Sequence, residues 1–303
     1  MKPLLVLALV ALAGVSAAWT NGALPDMMDA RYDYAVCNVD YATDWLSMRE
    51  DCADSTDVPV FDSSSYVTDL EDDLGDLEEA KDEANQVEFG LGMWQLGADS
   101  LELIGAVFQD AFTNKTGEFF SCVREGEAPL IEVHDTCFDA AMEKERDVSK
   151  DYVNNELEYA NGQIAELQAV GADTSDMEEI VEDGETLVDD IDPAFDTKNP
   201  TEIAKLYARH SRLVLLFRLE QMVATIDYAK PIIEAGNNEN KDEILSRGTA
   251  LRDDTEELIS ECAYSADVEN NFEYGRQNLE CWDEALDLYQ EFNALGGLIL
   301  EGA

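Results

Sequence analysis

Apolar residues along this chain recur mostly at helical intervals. Val67, Leu70, Leu74, Leu77, Ala84 and Leu91 stand three, four and seven apart, with acidic residues between them. That is the stripe of a helix packed on one side. The pattern predicts a helix from near Ser63, with Thr68 and Glu71 at capping-box spacing. Residues 87–112 are far more apolar and hold Phe89, Met93, Trp94, Leu96, Ile104 and Phe108 among four glycines. This stretch reads as core, with a helix restarting at Asp99 or Ser100 after Gly97.

A further helical pattern spans about 137–170 and stops at Gly171. Ser175 and Glu178 open the next, which is expected to end before Pro193. Asn199-Pro200-Thr201-Glu202 is the clearest start signal: an N-cap, a proline at the first helical position and a glutamate at the third. The helix it opens is apolar on more than one face between Leu213 and Ile226, which predicts a central position. Pro231 is expected to kink or end it and Gly236 to terminate the remainder. Asn240 and Glu243 open a helix to about Glu261. A last one follows Cys281, with Trp282, Ala285, Tyr289 and Phe292 on one face and Gly296-Gly297 as its stop. Only residues 58–61 and 129–133 have a β-like run. The expected fold is all-α, an elongated antiparallel helical bundle. Its two halves, residues 18–192 and 193–303, divide at the segment from Pro193 to Pro200.

Six cysteines change this picture. Cys37 and Cys52 are separated by 14 residues, Cys122 and Cys137 by 14, and Cys262 and Cys281 by 18. An even count in an exported chain points to disulfides. Nearest-neighbour bridges are expected, each closing a bend between helices, although fifteen pairings exist in principle. The spacings lack the C-x2-4-C step of zinc sites. Export is expected from residues 1–17: Lys2, an apolar run from Leu4 to Val15 and the small residues Ser16, Ala17 and Ala18 describe a cleaved signal peptide. The run is shorter than the roughly 20 residues of a membrane-spanning helix, so no stable membrane insertion is expected.

Charge narrows the function classes. The 68 acidic residues face 19 basic ones, a net charge of −49. Such a field repels nucleic acid and favours divalent cations or a basic protein partner. The same acidity also serves solubility or adaptation to salt, with no specific partner.

No catalytic or cofactor motif is present: no G-x-S-x-G, H-E-x-x-H, P-loop or dinucleotide fingerprint. The two histidines, His134 and His210, are far apart and sit in no motif. No cofactor and no catalytic residue is assigned, and the chain is read as a non-enzyme. Residues 69–79 superficially resemble a calcium loop, but glycine falls at the seventh position and Ala80 at the twelfth, so no built metal site is assigned. Lys205, Arg209 and Arg212 share one helical face, with Arg218 nearby; pairing with acidic neighbours is favoured over an anion site. Asn114-Lys115-Thr116 is a glycosylation sequon, with Asn114 as acceptor.

The leading expectation is a secreted, extracellular protein with a structural or interaction role and weak multivalent cation binding. The alternative is an extracellular carrier of an apolar small molecule or lipid, with its cavity between residues 87–112 and 213–226. A hydrolase using a carboxylate pair ranks third.

Overall fold

A computed structural model describes residues 23–83, 85–236, 239–263 and 271–301. The described residues are almost entirely helical and contain no strand. In chain order the helices are α1 (Ala23–Ser55), α2 (Ser64–Asp82), α3 (Gln86–Asn114), α4 (Gly117–Val170), α5 (Ser175–Asp196), α6 (Pro200–Ala235), α7 (Lys241–Cys262) and α8 (Asn271–Glu301). The chain divides into two compact units within α4: one is Gly22–Val148, and the other includes Ser149–Ala303. The 193–200 segment holds the turn between α5 and α6, both in the second unit. Residues 1–17, which carry the expected signal peptide, lie outside the described residues.

In the first unit, α1 to α3 surround one apolar cluster. Met28, Ala35, Val39, Leu46, Leu70, Leu77, Phe89, Leu96, Leu103 and Val107 are all buried in it. α1 is a helix that the sequence pattern does not announce. A second buried face of α1 meets α4, and two disulfides cross it: Cys37–Cys137, with Cα atoms 5.8 Å apart, and Cys52–Cys122, at 5.7 Å. The expected bridges Cys37–Cys52 and Cys122–Cys137 are therefore corrected. Each of those pairs lies inside one continuous helix, fifteen residues and about 22 Å apart, beyond the reach of a bond. The bridges are rungs between two antiparallel helices and do not bracket bends. Polar contacts continue the ladder: Arg31 Nε donates to Glu145 at 3.0 Å, and Trp45 Nε1 to Glu127 at 3.2 Å. At one end Arg49, only 6% exposed, pairs with Asp110 at 3.0 Å, and Lys115 pairs with the same carboxylate at 3.1 Å.

Two further expectations are corrected here. Residues 129–133 are not a strand: Pro129 sits inside α4. Residues 58–61 connect α1 to α2 without forming one. The apolar 87–112 stretch is a single helix that runs through its glycines, capped by the Asn85 side chain, which accepts from Glu88 N–H at 3.3 Å. It is only partly core: Phe89, Leu96, Leu103 and Val107 are buried, while Leu91, Ile104 and Phe108 are exposed.

In the second unit α6 is central, as its two-sided apolar sequence predicts. Leu215 and Leu219 are fully enclosed, and every residue from 221 to 226 is buried. One side of α6 packs on Ala160, Ile164 and Leu167 of α4 and Met177 and Val181 of α5. The other packs on Ile244, Leu251 and Leu258 of α7 and Ala285 and Leu295 of α8. The helices start where the signals place them, but two expected capping boxes do not form: Thr68 lies inside α2, and the N-cap of α5 is Thr174, without a side-chain cap bond. Thr174 and Ser175 open α5, and Glu202 and Ile203 N–H groups donate to Asn199 O at 3.0 and 3.2 Å. Gly171 ends α4 with φ +91°, a left-handed conformation that glycine adopts without strain. α5 passes through Pro193 to Asp196, and α6 passes through Pro231 to Ala235, where Gly236 follows. α8 begins at Asn271, ten residues before Cys281, and runs through Gly296-Gly297 to Glu301. The Cys262–Cys281 bridge joins α7 to α8 as nearest-neighbour pairing predicts. The Trp282 face is also as expected: Ala285 is fully buried, and Trp282 Nε1 donates to Ser211 Oγ at 3.0 Å. Among the described residues no helix is long and apolar enough to cross a membrane.

Candidate functional site

Acidic residues outnumber the cations that could pair with them, so most must face water. α5 shows how the sequence arranges this. Met177, Val181, Gly184, Leu187, Ile191 and Phe195 recur at steps of three and four and are buried. The positions between them are mostly acidic: Asp176, Glu178, Glu179, Glu182, Asp183, Glu185, Asp189, Asp190 and Asp192 are all exposed. This amphipathic helix turns its carboxylates outward along its whole length.

Where the start of α5 meets α6 and α7, the carboxylates converge around a groove of about 440 Å³. Asp173 and Asp176 come from the α5 end, Glu220 and Asp227 from α6, and Glu256 from α7, over apolar side chains that include Met177 and Ile259. Arg252 is the one cation in this lining. It donates to Asp227 at 2.7 Å and to Glu256 at 2.7 Å. Five carboxylates against one guanidinium leave four negative charges when all are ionised. Glu220 responds most. Burial, and then the charges of Asp176 and Glu256, push its carboxyl up to about 7. Asp173 shifts the other way: the Ser175 hydroxyl and backbone N–H donate to it and hold it below the usual carboxylate range. The groove thus holds a carboxyl near its midpoint at neutral pH, and an approaching cation would replace that proton.

This carries a pH prediction. A carboxyl whose folded value lies above its ordinary 4.5 binds more protons in the folded than in the unfolded state. Its stabilising contribution is complete below pH 4.5 and is lost as pH rises through about 7. Glu220→Gln, which cannot titrate, is expected to flatten the fall in melting temperature across that window. It should gain on the wild type more at pH 8 than at pH 4. Melting curves of both proteins against pH check this, and parallel curves would contradict it.

A second carboxyl focus lies in the first unit. Asp73 on α2 faces Asp99 on α3, and burial together with Asp99 pushes Asp73 up to about 6. Its Oδ2 is buried without a hydrogen-bond partner among the described residues. Gln95 Nε2 donates to both Asp99 oxygens, at 3.1 and 3.0 Å.

The residues singled out in the sequence fall as follows. Residues 69–79 are three continuous turns of α2, and Asp69, Glu71, Asp72, Asp76, Glu78 and Glu79 are exposed on a helix rather than gathered in a loop. No group of three histidine, cysteine or carboxylate side chains is poised to hold a metal among the described residues. The basic cluster is paired internally. Lys205 meets Glu202 at 3.0 Å and Arg209 meets Asp190 at 2.7 Å, while Arg212 donates to the Cys262 carbonyl. Arg218 differs: it meets Tyr159 instead of a carboxylate. His134 packs between Tyr41 and Phe138, with ring centroids at 4.8 and 5.8 Å, and His210 lies edge-on to Tyr152 at 5.1 Å. The two histidines belong to different units. Asn114 is the last residue of α3, and its side chain is outside the described positions. Residues 87–112 and 213–226 also fall in different units, and the cavity expected between them is not described.

Sequence reasoning missed the groove because its carboxylates come from three helices and span positions 173 to 256. The signal that remained was local: Asp173, Asp176, Glu220 and Glu256 each lie close to the edge of an apolar stripe.

Comparison of the chain with protein-family models, with curated proteins and with solved structures returned no match.

Proposed function

We propose that this is an exported, non-enzymatic acidic helical protein that engages cations or the basic side chains of a partner through its carboxylate surface, with the α5–α6–α7 groove as the strongest point of contact. The observation that carries the reading is the groove. Five carboxylates converge there, and Glu220 is held near its midpoint. A lysine or arginine entering it meets carboxylates that are already partly desolvated, where charge pairing is stronger than in open water. Most of the other carboxylates are exposed along the helices, as on α2 and α5, which favours many weak contacts over one tight one. Three disulfides and the apolar segment at residues 4–15 support export, and Asn114 is the proposed glycosylation acceptor.

Calcium titration followed by calorimetry tests this. Uptake is expected to be weak, to involve many ions and to fall steeply with added salt. A basic peptide is expected to compete, and Glu220→Gln to weaken that peptide more than it weakens total calcium uptake. Saturation by one or two tightly held ions would contradict the reading, as would no uptake at all.

A specific observation favours the carrier as second reading. An apolar cleft of about 70 Å³ lies between α6, α7 and α8, lined by Ile226, Ile233, Ile244, Leu295 and Ile299 among others. A co-purified apolar molecule in native mass spectrometry would put this reading first.

A further inference from the structure

Among the described residues, the second unit buries polar groups that have no hydrogen-bond partner. Arg218 on α6 is 6% exposed. Its Nη1 donates to the Tyr159 hydroxyl of α4 at 2.8 Å, and its guanidinium carbon lies 4.5 Å from the centroid of that ring. Its Nη2 is buried with no hydrogen-bond partner among the described residues. Glu156 of α4 acts on it through space, but no carboxylate is in ion-pair contact with it among the described residues. Two turns earlier on α6, His210 Nε2 is also buried without a partner. On α8 the Tyr289 hydroxyl is a third such group, and it senses the charge of Arg218. Buried polar groups are nearly always satisfied, and three orphans on two helices indicate a missing acceptor.

A cavity of about 40 Å³ opens onto Arg218 and His210, with Glu156 and Tyr159 also in its lining and apolar walls from α4, α5 and α6; Tyr289 is near Arg218 but outside that lining. Gly184 contributes to its form: a Cβ there would come within 2.7 Å of Leu157, which also lines the cavity. The space is a few water volumes, the size of a small organic ion. A planar guanidinium edge fits two oxygens of one carboxylate, and the apolar walls fit a short alkyl chain. A doubly charged phosphate would meet Glu156 and the strongly negative field of the chain.

We propose that this α4–α5–α6 cavity is a binding site for a small monocarboxylate, its oxygens held by Arg218 with His210 close by, and its alkyl end among the apolar walls. The site is separate from the acidic groove and does not rest on the function proposed above. Uptake is linked to a proton. The titratable and charged groups lining the cavity are Glu156 and Tyr159 from α4 and His210 and Arg218 from α6, with Tyr152 of α4 against His210 and Tyr289 of α8 near Arg218 outside it, while α5 supplies only apolar side chains and Gly184. Burial already raises Glu156 above its ordinary value, and a second carboxylate beside it raises it further, so Glu156 takes up a proton as the ligand enters. Burial lowers His210 to about 4, so it stays neutral above that pH.

Sodium butyrate is the probe, followed by calorimetry and by ¹³C-labelled ligand in NMR, on the intact oxidised protein. One equivalent is expected to bind saturably, and more tightly at pH 5.5 than at pH 7.5. Arg218→Met, which keeps the length of the side chain, should weaken binding at least about tenfold. Glu156→Gln, whose side chain lines the cavity and cannot titrate, should tighten binding at pH 7.5 severalfold and abolish the difference between the two pH values. If Arg218→Met does not fold, Glu156→Gln and the pH dependence decide. No saturable butyrate uptake by the wild type would overturn the assignment. So would unchanged affinity in both folded variants, or chloride displacing butyrate with equal affinity.

Discussion

Replacing Cys37 and Cys52 by serine together is expected to cost the first unit about 8 kcal/mol, against a typical domain stability of about 5–15 kcal/mol. The two bridges close long loops, with sequence separations of 100 and 70. On the chain-entropy account either alone contributes about 4.5 kcal/mol. They are nested, because the Cys52–Cys122 loop lies inside the Cys37–Cys137 loop. Once one is formed, the other restricts less additional freedom, and the pair falls short of the sum of two independent loops. The Cys262–Cys281 bridge, with a separation of 19, contributes about 3 kcal/mol to the second unit. Scanning calorimetry checks this. The double variant should lose or greatly lower the transition of Gly22–Val148, with the transition of the second unit retained. Cys262→Ser should show the converse, with a smaller shift. Equal effects of the three bridges would contradict the ladder.

The next largest effect is expected at the centre of α6. Leu219 is fully buried and is among the largest enclosed side chains of the chain. Leu219→Ala removes its transfer free energy and leaves a cavity where α6 is packed from both sides, at a cost of about 3–5 kcal/mol. Leu286→Ala is the control. That side chain is 54% exposed on α8, and its loss should change stability by less than about 0.5 kcal/mol. Denaturant unfolding of the two variants separates them. Equal effects would mean that α6 is not the centre of the second unit.

The helices easiest to read in the sequence were those with both a start signal and a wide apolar stripe. Ser175, Pro200 and Asn240 each stand at or next to a helix start, and residues 213–226 announced their burial by being apolar on two faces. α1 was illegible for a physical reason. It buries two faces at once, one against α2 and α3 and one against α4, and several of the buried positions are Ala30, Ala35, Cys37, Cys52 and Ala53 rather than large aliphatic residues. The stripe is too broad and too light to stand out. Pro129 misled in a similar way. A proline inside a helix removes one backbone hydrogen bond and costs about 3 kcal/mol, yet α4 continues through it. The rungs at Cys122 and Cys137 lie seven residues before and eight after, and they hold the helix on both sides of the break.

The cysteine spacing did contain the ladder. Fifteen residues is close to four helical turns, so two cysteines at that spacing share one face of a helix and cannot reach each other. Two equal spacings of that kind match between two neighbouring helices, and here the helices are antiparallel, so the first cysteine of one pairs with the last of the other. Reading the brackets as bends required a break in each helix, and neither contains one. The acidity was legible from composition and the amphipathic stripes. The acidic groove and the Arg218 cavity were not, because each is assembled from residues on three or four helices far apart in sequence.

A non-reducing peptide map of the protein from its natural source tests the account at its root. The account predicts one peptide pair joined through Cys37 and Cys137, another through Cys52 and Cys122, a third through Cys262 and Cys281, and a mature chain lacking residues 1–17. Bridges within 37–52 and 122–137, or six free thiols on a chain that retains its first seventeen residues, would contradict both the clamped helix pair and the export on which the proposed role depends.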